Sequence, residues 1–238
     1  MNSISNSSVI KDSIPKNIIQ TYSHKQKIPE KVFLNIAKFA PDYKHLVFDD
    51  DDCIEFLRSN YSEHYVSIFN SYPRGAHKSD FFRYSYLYLK GGFYLDIKIE
   101  LIKNLDEIIK DDTILYTVLS FNKNSIFQGI LFCPPKFPVI KKALDNMVDT
   151  YTKRKNYQYN YFTIVLYTVI QEDVERETLV PGFNQGKENS YFLFKEECDK
   201  NPIHCYDGLD RHGLCCFSYD DTQTKSFKNR YADFGRRW

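Results

Sequence analysis

Residues 89–100 read "LKGGFYLDIKIE". Two glycines release the chain from a helical pattern, and a strand pattern follows at once. Successive side chains of a strand face opposite sides. The spacing therefore predicts Leu95, Ile97 and Ile99 on one face and Tyr94, Asp96, Lys98 and Glu100 on the other. A carboxylate ending a buried strand suits a metal or a sugar nucleotide, and a second carboxylate two positions on would help. Lys98 stands at that second position.

Upstream, "AHKSDFFRYSYLYLK" (76–90) predicts a helix starting near Ser79. Phe81, Tyr84, Ser85 and Tyr88 share one face of it, and Phe82, Tyr86 and Leu89 an adjacent one. Lys90 complements the dipole at its C-terminus, and Gly91 supplies a left-handed stop. Asp80 and Arg83 lie three apart and can meet, either as an ordinary surface ion pair or as part of a site. The helix runs straight into the Asp96 strand, so the two elements must pack together. Ligands of open α/β sheets bind beyond the carboxyl ends of the strands, where Asp96 falls.

Outward from this centre, "NIIQTY" (17–22) predicts a buried strand. "PEKVFLNIAKFAP" (29–41) predicts a helix with Val32, Phe33, Ile36 and Ala37 inward, ended by Pro41. "YKHLVFDDDD" (43–52) is a strand running into four aspartates, which suit either a helix N-terminus or a metal. "TILYTVLS" (113–120) and "IFQGILFC" (126–133) read as strands. "PVIKKALDNMVDTY" (138–151) is an amphipathic helix, and "YFTIVLYTVI" (161–170) a buried helix or, given its β-branched residues, a strand. Strands alternating with helices indicate an α/β fold with a mostly parallel central sheet flanked by helices. No repeat or linker divides the sequence, so a polar lead (1–13) and one domain (14–238) are expected.

The 238 residues carry 32 basic and 31 acidic side chains, which gives no basic surplus for nucleic acid. The 19 Tyr and 19 Phe provide core material, and tyrosines can also line a polar cleft. The first residues lack the basic start and apolar run of a secretory signal. No apolar stretch approaches the ~18 residues of a membrane span, so a soluble, cytoplasmic chain with no transmembrane segment is expected. Six cysteines without regular spacing read as reduced thiols. A zinc site among Cys198, His204, Cys205, His212, Cys215 and Cys216 would lack paired C-x-x-C units. Phosphate-loop, H-E-x-x-H and G-x-S-x-G motifs are absent.

Three stretches resemble glycosyltransferase family 32, with its Asp-x-Asp sugar-binding region, which includes initiating α-1,6-mannosyltransferases and inositol phosphorylceramide mannosyltransferases. "KSDFFRYSYLYLKGGFYLDIK" (78–98) is similar to its core signature, "IPKNIIQTY" (14–22) to its opening strand, and "FQGILFCPPKFPVI" (127–140), more loosely, to the strand, loop and helix that follow. The resemblance implies a GT-A (Rossmann-like) fold. It also implies transfer of a sugar from a UDP- or GDP-linked donor to a glycan, lipid or protein acceptor, with anomeric configuration retained. On its terms Asp96, Lys98, Asp80 and Arg83 are the catalytic set. Gln20, Thr21, Asp80, Arg83, Tyr84, Gly92, Asp96 and Gln128 hold the donor. Asp96 and His212 are the candidate ligands of Mn²⁺ or Mg²⁺. Lys98 departs from the pattern, because the second aspartate normally holds that cation. Lys98 replaces the cation, or turns aside while Asp96 binds metal with other ligands, or marks a module that binds donor without turnover.

Overall fold

The computed structural model describes residues 12–197, 216–218 and 225–229. Strand β1 (Asn17–Thr21) buries Ile18 on one side and Ile19 on the other, and it has parallel neighbours on both edges. These are β2 (Lys44–Phe48) and β3 (Gly92–Leu95), so the carboxyl ends of all three strands emerge at one edge. Helix α1 (Glu30–Phe39) connects β1 to β2. Its inward face is Val32, Asn35 and Ile36, while Phe33 and Ala37, expected inward, are exposed. The rotation follows from the Asn35 amide, which donates to the Leu101 carbonyl at 2.8 Å and accepts from the Leu101 N–H at 2.9 Å.

The four aspartates open helix α2 (Asp50–Asn60). Asp49 accepts from the Asp52 N–H and Asp52 from the Asp49 N–H, a reciprocal cap that satisfies two otherwise unpaired donors. Helix α3 (Glu63–Ser71), which the sequence pattern did not suggest, leads to α4 (Gly75–Lys90). Helix α4 begins four residues before the expected Ser79 and is buried on all sides from Asp80 to Leu87. Gly91 stops it at φ 64°, and a Cβ there would lie 2.7 Å from the Pro135 nitrogen. Gly92, at φ 118°, packs so closely on β1 that a Cβ would lie 2.9 Å from the Asn17 carbonyl oxygen.

After β3 the chain departs from the expected long strand. The Ile99 N–H donates to the Asp96 carbonyl at 2.8 Å and the Lys98 N–H to the Asp96 carboxylate at 2.9 Å. This turn, closed by the aspartate's own side chain, separates β3 from β4 (Ile99–Leu101). Ile97 therefore leaves the sheet face of Leu95 and Ile99 and packs with Ile28 and Val32.

A short helix α5 (Leu105–Ile108) precedes the hairpin of β5 (Leu115–Leu119) and β6 (Ile126–Cys133). Helix α6 (Pro138–Thr152) starts on Pro138, which fits a first helical position. It buries Ile140, Ala143, Leu144 and Met147, as its spacing predicts. The apolar run after it is a helix, α7 (Tyr161–Val174). Strands β7 (Gly182–Gln185), β8 (Ser190–Glu197), β9 (Cys216–Ser218) and β10 (Lys225–Asn229) follow. The strand order is β2-β1-β3-β6-β5-β8-β9-β10-β4, with β7 on β8.

The sheet is mixed rather than mostly parallel. Among the described residues the β1–β2, β1–β3 and β5–β8 pairings are parallel and the other six are antiparallel. The hairpin is the cause, because it lays β6 against β3 in the reverse direction. One core lies between the sheet and helices α2, α3, α4, α6 and α7, and a second lies on the opposite face with Ile36 and Ala40 of the α1 connection.

Candidate active site

The first turns of helix α4 lie beside the carboxyl ends of β1 and β3, where Ser79 meets Thr21, Arg83 meets Tyr94 and Asp80 pairs with Arg83. Arg83 is the hub. Its Nε donates to the Ser79 carbonyl at 3.2 Å, one Nη to the Gln128 carbonyl, and the other Nη to the Tyr94 hydroxyl at 3.2 Å. The guanidinium also lies over the Tyr94 ring, 4.2 Å from its centroid. A guanidinium can only donate, and Thr21 has a single hydroxyl proton, which it gives to Ser79. Tyr94 Oη donates to Thr21 Oγ1 at 2.9 Å, and Thr21 Oγ1 donates to Ser79 Oγ at 3.0 Å. Burial, opposed by Arg83 and aided by the Asp96 charge, pushes the Tyr94 hydroxyl up to about 12, so it keeps its proton.

Asp80 pairs with Arg83 at 3.3 Å, and their side chains are only 12% and 5% exposed. The pair is internal, which removes the surface-pair alternative left open by the spacing. Burial raises the Asp80 carboxyl above the ordinary range; Arg83 and His77 oppose that shift and Asp96 adds to it. Asp96 follows β3 directly and is half-buried, with its N–H donating to the Gly129 carbonyl at 2.7 Å. That carbonyl belongs to a bulge, since the β5–β6 register jumps from Thr117↔Leu131 to Val118↔Phe127. Bulges re-aim side chains at functional edges. Here the bulge presents Gln128, which is 4% exposed and has no partner for either amide atom among the described residues.

Lys98 is 3% exposed. Burial lowers its ammonium from 10.5 to about 8, opposed only in part by Asp96. Gln20, buried at the end of β1, accepts from His45 Nε2 at 2.7 Å, and its own amide nitrogen has no partner among the described residues. Burial lowers the His45 imidazole.

The structure thus brings Thr21, Asp80, Arg83, Asp96 and the Gln128 backbone together, with Gln20 adjoining in β1. Tyr84 is wholly buried in α4, with its hydroxyl unpartnered among the described residues and in the field of Asp80. Gly92 opens β3 at the end opposite Asp96, where its contacts are those of close strand packing. His77 is caged by Tyr72, Tyr157 and Phe162, and Lys78 pairs with Asp50 at 2.6 Å, so each first-turn side chain has its own structural partner. His212 and the cysteine-histidine group around it lie outside the described residues, apart from the Cys216 backbone; Cys53 and Cys133 are buried thiols.

Sequence reasoning missed two tyrosines. Tyr94 shares the Asp96 face in the strand pattern, and its place two residues before Asp96 is the signal that points to the site. Tyr159, in the segment between α6 and α7, stands in the electrostatic field of Asp80, Asp96 and Arg83. Nothing in its local spacing pointed there.

Among the described residues no three His, Cys, Asp or Glu side chains converge as a cation site. A hard divalent cation takes about six oxygen ligands. Asp96 offers one carboxylate, already engaged by the Lys98 N–H, beside an ammonium that repels a cation. These residues fit a metal poorly by themselves.

Residues 6–115 match the family profile described as "Glycosyltransferase sugar-binding region containing DXD motif". The chain is related to glycosyltransferases. Over 126 residues it is 35% identical to the initiation-specific alpha-1,6-mannosyltransferase of Candida albicans, covering 49% of this chain and 32% of that one. It is 32% identical over 100 residues to inositol phosphoceramide mannosyltransferase 3 of Schizosaccharomyces pombe, covering 41% and 28%. An uncharacterized glycosyltransferase of Acanthamoeba polyphaga mimivirus is 27% identical over 133 residues, covering 54% and 52%. The chain therefore spans about half or less of these relatives' lengths. Its fold resembles that of the PaToxG glycosyltransferase, with a TM-score of 0.55 at 20% identity over 70% of this chain and 72% of the other. No described helix is long and apolar enough to cross a membrane.

Proposed function

We propose that residues 14–238 form one GT-A domain that transfers a sugar from a UDP- or GDP-linked donor to a glycan, lipid or protein hydroxyl, with retention. The observation that carries this reading is the buried Asp80–Arg83–Tyr94–Thr21 network beside Asp96 at the carboxyl ends of two parallel strands. Such a network holds a carboxylate rigidly without solvent, which suits a group that must orient sugar hydroxyls. Gln20 and Thr21 approach the nucleotide, Asp80 binds the donor sugar's hydroxyls, Arg83 orients Asp80, and Asp96 meets the ribose. The buried, unpartnered Gln128 amide takes further hydroxyls, since a buried polar group without a partner is costly.

In the transfer, the bond from the anomeric carbon to the diphosphate oxygen breaks and a bond to the acceptor oxygen forms. The acceptor's proton leaves with the diphosphate, so no side chain need act as general base. Catalysis then rests on positioning and on stabilising negative charge on the leaving group. Asp96 and its neighbours do not hold a Mn²⁺ or Mg²⁺ ion without further ligands; with them, such an ion would supply countering positive charge. The Lys98 ammonium, at the place of the second carboxylate and in the field of Asp96, supplies part of it in this chain.

Several relatives are named mannosyltransferases, which puts GDP-mannose first in a donor panel with UDP-glucose and UDP-N-acetylglucosamine. Turnover of each donor is measured for wild type and Lys98→Asp, with EDTA or Mn²⁺. The expected result is wild-type turnover that survives EDTA and a Lys98→Asp variant that requires Mn²⁺. Complete loss in EDTA with rescue by Mn²⁺ would remove the ammonium's role. Donor binding without turnover under any condition would instead identify a catalytically impaired nucleotide-sugar-binding module, the reading favoured by the missing second aspartate.

A further inference from the structure

We infer that Tyr159 is the platform on which the donor's sugar ring stacks, an assignment that rests on the donor-site reading above. Tyr159 combines two properties. It is 59% exposed, yet its hydroxyl lies in the field of Asp80, Asp96 and Arg83. The ring is therefore open to solvent beside His77, three residues before Asp80 on α4.

The mount is rigid. The Tyr159 carbonyl accepts from His77 Nε2 at 3.0 Å, and the two rings lie 5.3 Å apart. His77 is held in turn by the rings of Tyr72, Tyr157 and Phe162. The Arg74 guanidinium sits over the Tyr159 ring, 5.0 Å from its centroid, which favours one ring orientation by a cation–π contact. Segment 153–160 is thus pinned at this residue to the first turn of the helix that carries Asp80 and Arg83. An aromatic fixed this way offers a large contact area with little entropy to lose on binding. A pyranose matches it, with C–H bonds on a face that can lie on the ring and hydroxyls on its rim for Asp80. A guanine base would also find both aromatic face and carboxylate, its N1–H and N2–H donating to the carboxylate; equal loss of GDP and GDP-mannose in Tyr159→Ala would mark that occupant instead.

The test separates the sugar from the nucleotide. Dissociation constants for UDP, UDP-glucose, GDP and GDP-mannose are measured calorimetrically on the full chain for wild type, Tyr159→Ala and Tyr159→Phe. For whichever nucleotide sugar wild type binds, Tyr159→Ala should weaken it roughly tenfold while its nucleoside diphosphate is held as before, a loss typical of one stacked aromatic. Tyr159→Phe keeps the ring and should stay within about threefold. Unchanged affinity in Tyr159→Ala, equal loss for nucleotide and nucleotide sugar, or a Phe variant as weak as Ala would each overturn the platform. Wild type binding none of the four ligands would instead refute the donor site itself, and the platform with it.

Discussion

Replacing Lys98 with methionine should make this protein more stable at neutral pH and less active. The side chain is 3% exposed, and methionine has its length without the charge. A fall in pKa from 10.5 to about 8 corresponds to about 3 kcal/mol by which folding disfavours the ammonium. Asp96 and the ammonium's other partners lose an attractive neighbour in the variant, so the expected gain is about 1–3 kcal/mol, or roughly 2–12 °C in Tm for a chain of this size. The sign with pH follows from proton counts. Below pH 8 lysine is charged in both folded and unfolded chains, and the gap between variant and wild type is constant. Between pH 8 and 10.5 the unfolded chain binds more protons than the folded one, so wild type gains stability and the gap closes. Thermal unfolding of both proteins at pH 6.5, 8, 9 and 10.5 measures this, with donor turnover assayed on the same samples at pH 7. No gap at pH 6.5, or a gap that widens as pH rises, would refute the reasoning, because the ammonium would then be solvated or fully paired. A methionine variant with wild-type turnover would remove Lys98 from the chemistry.

Arg83→Lys keeps the charge but cannot reach Ser79, Gln128 and Tyr94 together. A loss of about 2–4 kcal/mol in urea unfolding is expected, with turnover falling at least ~100-fold as Asp80 loses its orientation; a variant within a few-fold of wild type would contradict the network. Asp173 is buried and accepts from the Tyr191 hydroxyl at 2.6 Å and the Asn189 N–H at 3.2 Å, which closes the turn between β7 and β8. Asp173→Asn turns an amide toward one of those donors and should cost about 1–3 kcal/mol with donor affinity unchanged, as separate unfolding and binding titrations would reveal.

Local chemistry was legible in the sequence. The aspartate run caps a helix because short acidic side chains reach the N–H groups beside them. Gly91 ends a helix because its positive φ suits a residue without a Cβ. The spacing in 138–151 specifies a helix buried along one stripe. The α/β alternation and the chemistry around residues 78–98 were likewise present in the order of residues.

Distant partners decided the rest. "LDIKI" alternates like a strand, yet the Asp96 carboxylate closes a turn there and β4 finds its neighbour in β10, more than 120 residues on. The sheet is mixed because a hairpin, rather than a helical crossover, delivers β6 to β3. The spacing of Asp80 and Arg83 fits a solvated pair as well as a buried one. Only the packing of α4 beside β1 and β3 removes the water and makes the pair a candidate site. Periodicity is a property of neighbours in the chain, whereas burial and electric field are set by whatever folding brings alongside, as Tyr159 illustrates beside Asp80.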